Sequence, residues 1–191
     1  MRRNNGGGAV LNTANVQPGK SVAVFGCGGV GLNVIQGAMI AGAEPIIAID
    51  ILDNKLELSK QFGATHTLNS SQVDPVMAIQ DLTDGQGVHY AFEAIGLVSD
   101  PFKQSILCTR KQGITVYVGH APVNTPVDFD ARILFLEKMV IGSFYGTCRP
   151  RVDFPRLLDL YKAGKLKLDE LVTRVTALGK GEVARSVLDL T

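Results

Sequence analysis

Gly26, Gly28 and Gly31 fall in the stretch VAVFGCGGVG, residues 22–31, with the spacing GxGxxG. Glycines at those intervals let the chain turn tightly, let its backbone approach a bulky anion, and let a following helix pack closely on a sheet. The chemistry on offer is the binding of a pyrophosphate, whose charge would meet the helix-start amides around Gly29 and Val30. Asp50 closes the next apolar run, 19 residues past Gly31. A carboxylate at that distance can accept hydrogen bonds from both hydroxyls of an adenosine ribose, and it repels a 2′-phosphate. These residues therefore point to NAD rather than NADP. Lys55, on the first turn of the next helix, can approach the same ribose or stand as an exposed helix lysine, and the sequence leaves both readings open.

Other reactive side chains form weaker patterns. Cys27, Cys108 and Cys148 are far apart, with no CxxC pair, and His66, His89 and His120 have no metal-ligand spacing. Cys27 sits at a helix start, where a thiol pKa can fall, but it also fits a small, freely variable turn position, and this second reading is favoured. Tyr161 and Lys165 make YxxxK, the tyrosine–lysine pair of short-chain dehydrogenases, in which the lysine lowers the tyrosine pKa for acid–base work. That family's turn reads TGxxxGxG, and here Gly164 breaks the helix just before Lys165. Packing of Leu157, Leu158 and Tyr161 against a sheet is the better reading.

The elements that must position the glycine turn follow from alternating apolar runs and helical stretches. Strands are expected at Val22–Phe25, Ile46–Asp50, Thr65–Leu68, Val88–Ala94, Ile114–Gly119 and Val140–Tyr145. Several are apolar throughout, as strands buried on both faces should be. Leu32, Ile35 and Met39 recur at helical spacing up to Gly42, Asp53 is expected to N-cap a helix ending near Phe62, and Asp74-Pro75 opens another that gives out at Gly85. A last amphipathic helix is expected after Pro155, ending at Gly164. Strand–helix–strand repetition implies parallel pairing through right-handed crossovers, hence an α/β doubly wound parallel sheet. The expected organisation is a leading segment over 1–20, a dinucleotide-type core over 21–146, and a C-terminal appendage over 147–191.

Composition narrows the function classes. Of 191 residues 46% are hydrophobic and 19% charged, enough for a substantial core. The formal charge of +1, without a basic stripe, argues against a nucleic-acid partner. Arg2 and Arg3 are not followed by an apolar segment, so neither a signal peptide nor a membrane anchor is expected. Sparse, unpaired cysteines suit a cytoplasmic protein with reduced thiols.

With the glycine turn and its acid in place, the chain resembles a known family. SVAVFGCGGVGLNVIQGAMIAGAEPIIAID, DNKLELSKQFGATHTLN, FEAIG and VYVGHAP are similar, in order and spacing, to medium-chain zinc-dependent alcohol dehydrogenases, on the class III, glutathione-dependent formaldehyde dehydrogenase side. The resemblance runs from about Ala9 to the C-terminus. It implies that Ile95 and Gly96 lie along the adenosine-to-nicotinamide path. Val118 and His120 would line the nicotinamide end, Tyr145 would stand against that same end, and Arg185 would match the arginine that reaches the pyrophosphate. In the family the catalytic zinc is held mostly in a preceding lobe, and this sequence starts in the connecting segment. Near the C-terminus only VTALGK separates LVTR from GEVARSV, where the family carries an additional helix.

Two functions follow. The first is the NAD(H)-binding part of a dehydrogenase whose parent reaction turns alcohol and NAD into aldehyde or ketone and NADH, with the zinc ligands outside this chain. The second is a vestigial binding or self-association module, using the edge strand Val140–Tyr145 to form a homodimer.

Overall fold

A computed structural model of the chain describes residues 6–96 and 99–172. Six strands, β1 (Val22–Phe25), β2 (Ile46–Asp50), β3 (His66–Asn69), β4 (Val88–Glu93), β5 (Thr109–Tyr117) and β6 (Met139–Gly142), form one sheet in the order β3-β2-β1-β4-β5-β6. Every neighbouring pair is parallel. This is the doubly wound order of the Rossmann fold, with its topological switch point between β1 and β4. All residues of β1 and β2 are buried, which accounts for their unbroken apolar sequences.

Helices α1 (Gly29–Ile40), α2 (Asp53–Gln61), α3 (Pro75–Leu82) and α4 (Ser99–Leu107) connect the first five strands. On one side of the sheet Ala23, Phe25, Ile47, Ile49 and Ala91 make a core with Ile79 of α3 and with Cys108. Burying each of the larger side chains stabilises the fold by about 1.5–3 kcal/mol relative to exposure. Helix α1 is buried along its length from Gly31 to Ala38. Its cover includes residues 6–8, which are helical, and the π-helix Ala9–Thr13 that follows, where Ala9 and Val10 are fully buried. Gly37 of α1 is the close-approach point for Gly7 and Val10.

Several element bounds differ from expectation, and local interactions explain them. Strand β3 lies one residue later than expected: the Thr65 hydroxyl takes the Ile46 amide at 2.9 Å, while Thr65 N still donates to the Ile46 carbonyl at 2.8 Å. Asp53 is the first residue of α2 and not its cap; Leu52 holds the cap position. Strand β5 begins early, with Thr109 paired to Val88 across an irregularity before Ile114, and it ends at Tyr117 instead of Gly119. Strand β6 stops at Gly142 because residues 145–147 turn left-handed.

Among the described residues, those up to Cys148 form one compact unit and those from Arg149 onward a second. In the second, helix α5 (Pro150–Lys162) starts before Pro155 and contains it. Pro150 occupies the first turn, where no N–H is needed, and Asp153 Oδ2 accepts from the cap amide of Arg149 at 2.6 Å. Gly164 follows at φ +67°.

At the amino-terminal edge of the sheet His89 joins Ser21 and Arg110. Its Nδ1 lies 2.7 Å from Ser21 Oγ and its Nε2 2.9 Å from Arg110 Nη1. The Ser21 backbone N–H also donates to Nδ1 at 3.2 Å, so both ring nitrogens face donors, an arrangement that disfavours the charged imidazolium. Burial first, then the Arg110 and Lys20 charges, lower the His89 pKa from 6.5. Below 6.5 the unfolded chain takes up a proton there that the folded chain still refuses, so stability falls with pH over that window. Urea midpoints are expected to drop between pH 7.5 and pH 5.5, and His89→Gln should flatten that part of the profile. An unchanged slope in the variant would assign the pH dependence to other groups.

Candidate functional site

The register aligns the strand ends in one row, Ile49–Phe25–Glu93–Tyr117–Gly142, across β2, β1, β4, β5 and β6. At about 4.8 Å per strand the row spans roughly 19 Å. Immediately beyond it lie Asp50, the glycine turn, residues 94–96, residues 118–120 and residues 143–147. These five segments contain every residue named above for cofactor binding except Lys55 and Arg185. Ligands of open α/β sheets bind outside the carboxyl ends of the strands, at the switch point.

The three glycines of the motif stand in different physical settings. Gly26 has φ +95°, and a Cβ there would sit 2.6 Å from Ile95 Cγ1. Gly31 meets the Gly26 carbonyl so closely that a Cβ would lie 1.7 Å from its oxygen. Gly28 is unlike both. It N-caps α1 at φ −76°, and a Cβ would meet nothing within 4 Å. The protein itself has no steric need for glycine at Gly28, so the free space beside the helix start is a cradle that a side chain would fill. Gly29 and Val30 begin α1, whose first N–H groups have no intrahelical acceptor.

Asp50 is 8% exposed and ties this turn to the sheet. Its Oδ2 accepts from Cys27 N at 2.8 Å, and its Oδ1 from Ile51 N at 2.8 Å and Leu52 N at 3.2 Å. A carboxylate has about four lone-pair positions, so with three in use one acceptor position remains, on Oδ2. Lys55 is half-buried on α2, near enough to the Cys27 thiol for its charge to act there. Cys27 itself is fully buried, and burial foremost, with the Asp50 charge second, pushes its pKa up to about 12. It is a neutral packing residue, not an activated thiol.

At the other end of the row, Glu93 organises two loops at once, and sequence reasoning did not single it out. The carboxyl is fully buried; Oε1 accepts from Ile95 N and Gly96 N, each at 2.7 Å, while the backbone oxygen accepts from Val118 N and Gly119 N, each at 2.9 Å. Oε2 has no hydrogen-bond partner among the described residues. Burial raises the pKa of the carboxyl, against the lowering effect of those loop amides. The available signal was an acid closing an otherwise apolar strand in FEAIG. Gly96, at φ +76°, packs on the His120 amide; Val118 is buried, while Ile95 and His120 are exposed. Tyr145 is 41% exposed, its ring edge-on to Phe144. Arg185 lies outside the described residues.

Among the described residues no three His, Cys, Asp or Glu side chains converge as a metal site. Cys108 is fully buried, its pKa pushed up to about 12 by burial. Tyr161 donates to Asp169 Oδ2 at 2.6 Å, and that carboxylate raises the tyrosine pKa, the reverse of what a tyrosine base requires.

Residues 29–163 match the family model described as zinc-binding dehydrogenase. Among curated proteins, the chain is 41% identical over 169 residues to Probable S-(hydroxymethyl)glutathione dehydrogenase 1 of Schizosaccharomyces pombe, covering 88% of this chain and 44% of that one. Among solved structures, an alcohol dehydrogenase zinc-binding domain protein from Burkholderia ambifaria superposes with a TM-score of 0.86 at 38% identity, over 90% of this chain and 46% of that one. A zinc-binding dehydrogenase from Sinorhizobium meliloti, bound to NADP, gives 0.79 at 28%, over 90% and 50%. The chain thus spans about half the length of the relatives it matches, and its described residues supply no ligand set for the zinc in the family's name. With the glycine turn, the sheet order and the sequence match in agreement, the chain belongs to the zinc-binding dehydrogenase family.

Proposed function

We propose that this chain binds NAD(H) as the cofactor half of an alcohol dehydrogenase. The single observation that carries the reading is the Gly28 cradle: open space beside unpaired helix-start amides, with Asp50 at its rim. In this reading Gly26, Gly28, Gly29, Val30 and Gly31 hold the pyrophosphate, and Asp50 and Lys55 the adenosine ribose. Ile95 and Gly96 flank the path, and Val118, His120 and Tyr145 surround the nicotinamide. Arg185 adds charge at the pyrophosphate. When bound, the nicotinamide accepts a hydride from an alcohol, giving an aldehyde or ketone. The chain's own residues orient the cofactor; a lobe supplying zinc and most substrate contacts would complete the parent reaction. The proposed division is a leading segment 1–20, a cofactor core 21–146 and an appendage 147–191.

Asp50 supports NAD over NADP, although the S. meliloti relative was crystallised with NADP. We further propose a cytoplasmic location, on the strength of sparse cysteines with no CxxC pair, and note that no helix among the described residues is long and apolar enough to cross a membrane. A homodimer through β6 is the second proposal. Among the described residues β6 pairs only with β5, and Met139 and Phe144 are 49% and 83% exposed beside its free edge.

Titration with NADH, followed by fluorescence and calorimetry, tests the cofactor reading. Saturable one-to-one binding is expected, tighter for NADH than for NADPH, with little or no alcohol turnover by this chain alone. A flat titration up to millimolar NADH overturns it and leaves the vestigial self-association module as the better account.

A further inference from the structure

Tyr145, Gly146 and Thr147 have φ of +51°, +65° and +49°. Three consecutive left-handed residues are costly, and a β-branched threonine there is a genuine outlier. Such strain persists only where the surroundings over-determine it, and it collects at functional sites. Here the constraint comes from the other end of the unit. Thr13, the last residue of the π-helix Ala9–Thr13, places Oγ1 2.9 Å from Ser143 Oγ and 2.7 Å from Thr147 Oγ1, so its hydroxyl sits between Ser143, ahead of the turn, and Thr147, the turn's last residue. Asn12 Nδ2 donates to the Gly146 carbonyl at 3.4 Å. Gly8 lies so close to Gly146 that a Cβ would come within 2.6 Å of its carbonyl oxygen. The same short segment rests on the glycine turn's helix, where a Cβ on Gly6 would be 2.5 Å from Val30 O. The π-helical step, marked by the bond from Ala14 N to Ala9 O at 2.8 Å, widens the turn before Thr13, and insertions of this kind recur at functional sites.

We propose that Thr13 is a positioning residue for cofactor binding: by bridging Ser143 and Thr147 through its hydroxyl, it holds the left-handed turn that presents Tyr145 to the nicotinamide end. The inference rests on the NAD(H) reading above, which places Tyr145 at that end. Residues 6–13 then act as a strut, with one end on Val30 beside the pyrophosphate helix and the other on the Tyr145 turn.

The test compares NADH with ADP-ribose, which shares every part of the cofactor except the nicotinamide, by calorimetry on the full chain. Thr13→Val is expected to weaken NADH about tenfold, equivalent to about 1.4 kcal/mol, while ADP-ribose affinity stays within about twofold, a difference at the edge of measurement. Thr13→Ser, which keeps the hydroxyl, should restore NADH binding. Ser143→Ala, which leaves the Thr13 side chain intact, should weaken NADH in the same direction and serves if Thr13→Val does not fold. Equal losses for both ligands would mean a general structural defect and overturn the proposal. So would unchanged NADH affinity in Thr13→Val, or in Ser143→Ala where Thr13→Val does not fold. Wild-type chain that binds neither ligand overturns the NAD(H) reading and the proposal with it; wild type that binds both equally, with no nicotinamide contribution, overturns the proposal alone.

Discussion

Gly31→Ala is expected to lower the melting temperature by roughly 6–12 °C and to abolish NADH binding, whereas Gly28→Ala should leave the fold nearly intact and lose only the binding. The difference lies in what a methyl group meets. At Gly31 it would stand 1.7 Å from the Gly26 carbonyl oxygen, and that carbonyl belongs to a turn pinned by Gly26 N on Ile49 O at 2.7 Å. Neither partner is a flexible side chain, so the cost falls at the upper end of the about 1–3 kcal/mol typical of overpacking. For a chain of this size each kcal/mol moves the melting temperature by about 2–4 °C. At Gly28 the methyl meets nothing within 4 Å, and the weaker N-cap preference of alanine costs about 1 kcal/mol. Its penalty appears when a pyrophosphate has to occupy the same space. Melting curves and NADH titrations of the two variants check this; a Gly28→Ala chain that binds NADH normally would remove the cradle argument.

Asp50→Ala should weaken NADH by about 10–100-fold, corresponding to the loss of a charged acceptor worth about 1.5–3 kcal/mol. NADPH should weaken far less, because the variant also loses the repulsion toward a 2′-phosphate. The NADH/NADPH gap therefore narrows, and an unchanged gap means that another residue reads the ribose. The variant will also be less stable. The buried Cys27 amide loses its acceptor at 2.8 Å, at a cost of about 1–3 kcal/mol, while the Ile51 and Leu52 amides, on exposed residues, can turn to water. Affinities should accordingly be measured well below the melting temperature of the variant.

How much of this could be read from the chain depended on whether local sequence or distant contact decided each element. Strands β1 and β2 were legible to the residue, because burial on both faces demands an unbroken apolar run with a sharp end. The sheet class, the glycine turn and the family followed from them. The start of β5 was hidden: Arg110, Lys111 and Gln112 are polar, and Gln112 has φ +60°, so nothing in their pattern announces a strand that pairs Thr109 with Val88. The end of β6 was misread for the opposite reason. VIGSFY looks like continuous strand, and it takes hydroxyl and glycine contacts from residues 8–13 to turn Tyr145 out of it. The leading segment, with no packing role legible in its sequence, contains two fully buried residues that cover α1. Helix α5 began before Pro155 because Pro150 and Asp153 supply a start that an internal proline obscures. At the site, glycines and Asp50 were visible as types at a spacing. The organising role of Glu93 was not, since it depends on two loops that are far apart in sequence and meet only in the fold.

That role constrains how the domain can be rebuilt. The segments after β4 and after β5 converge on one residue, so their lengths and geometries form a matched set. A chimera that imports residues 94–96 from a relative while retaining 118–120, or the reverse, would bring a loop shaped for a different anchor. Exchange of both together with the strand end carrying Glu93 preserves the match, and this makes that trio the natural unit of grafting.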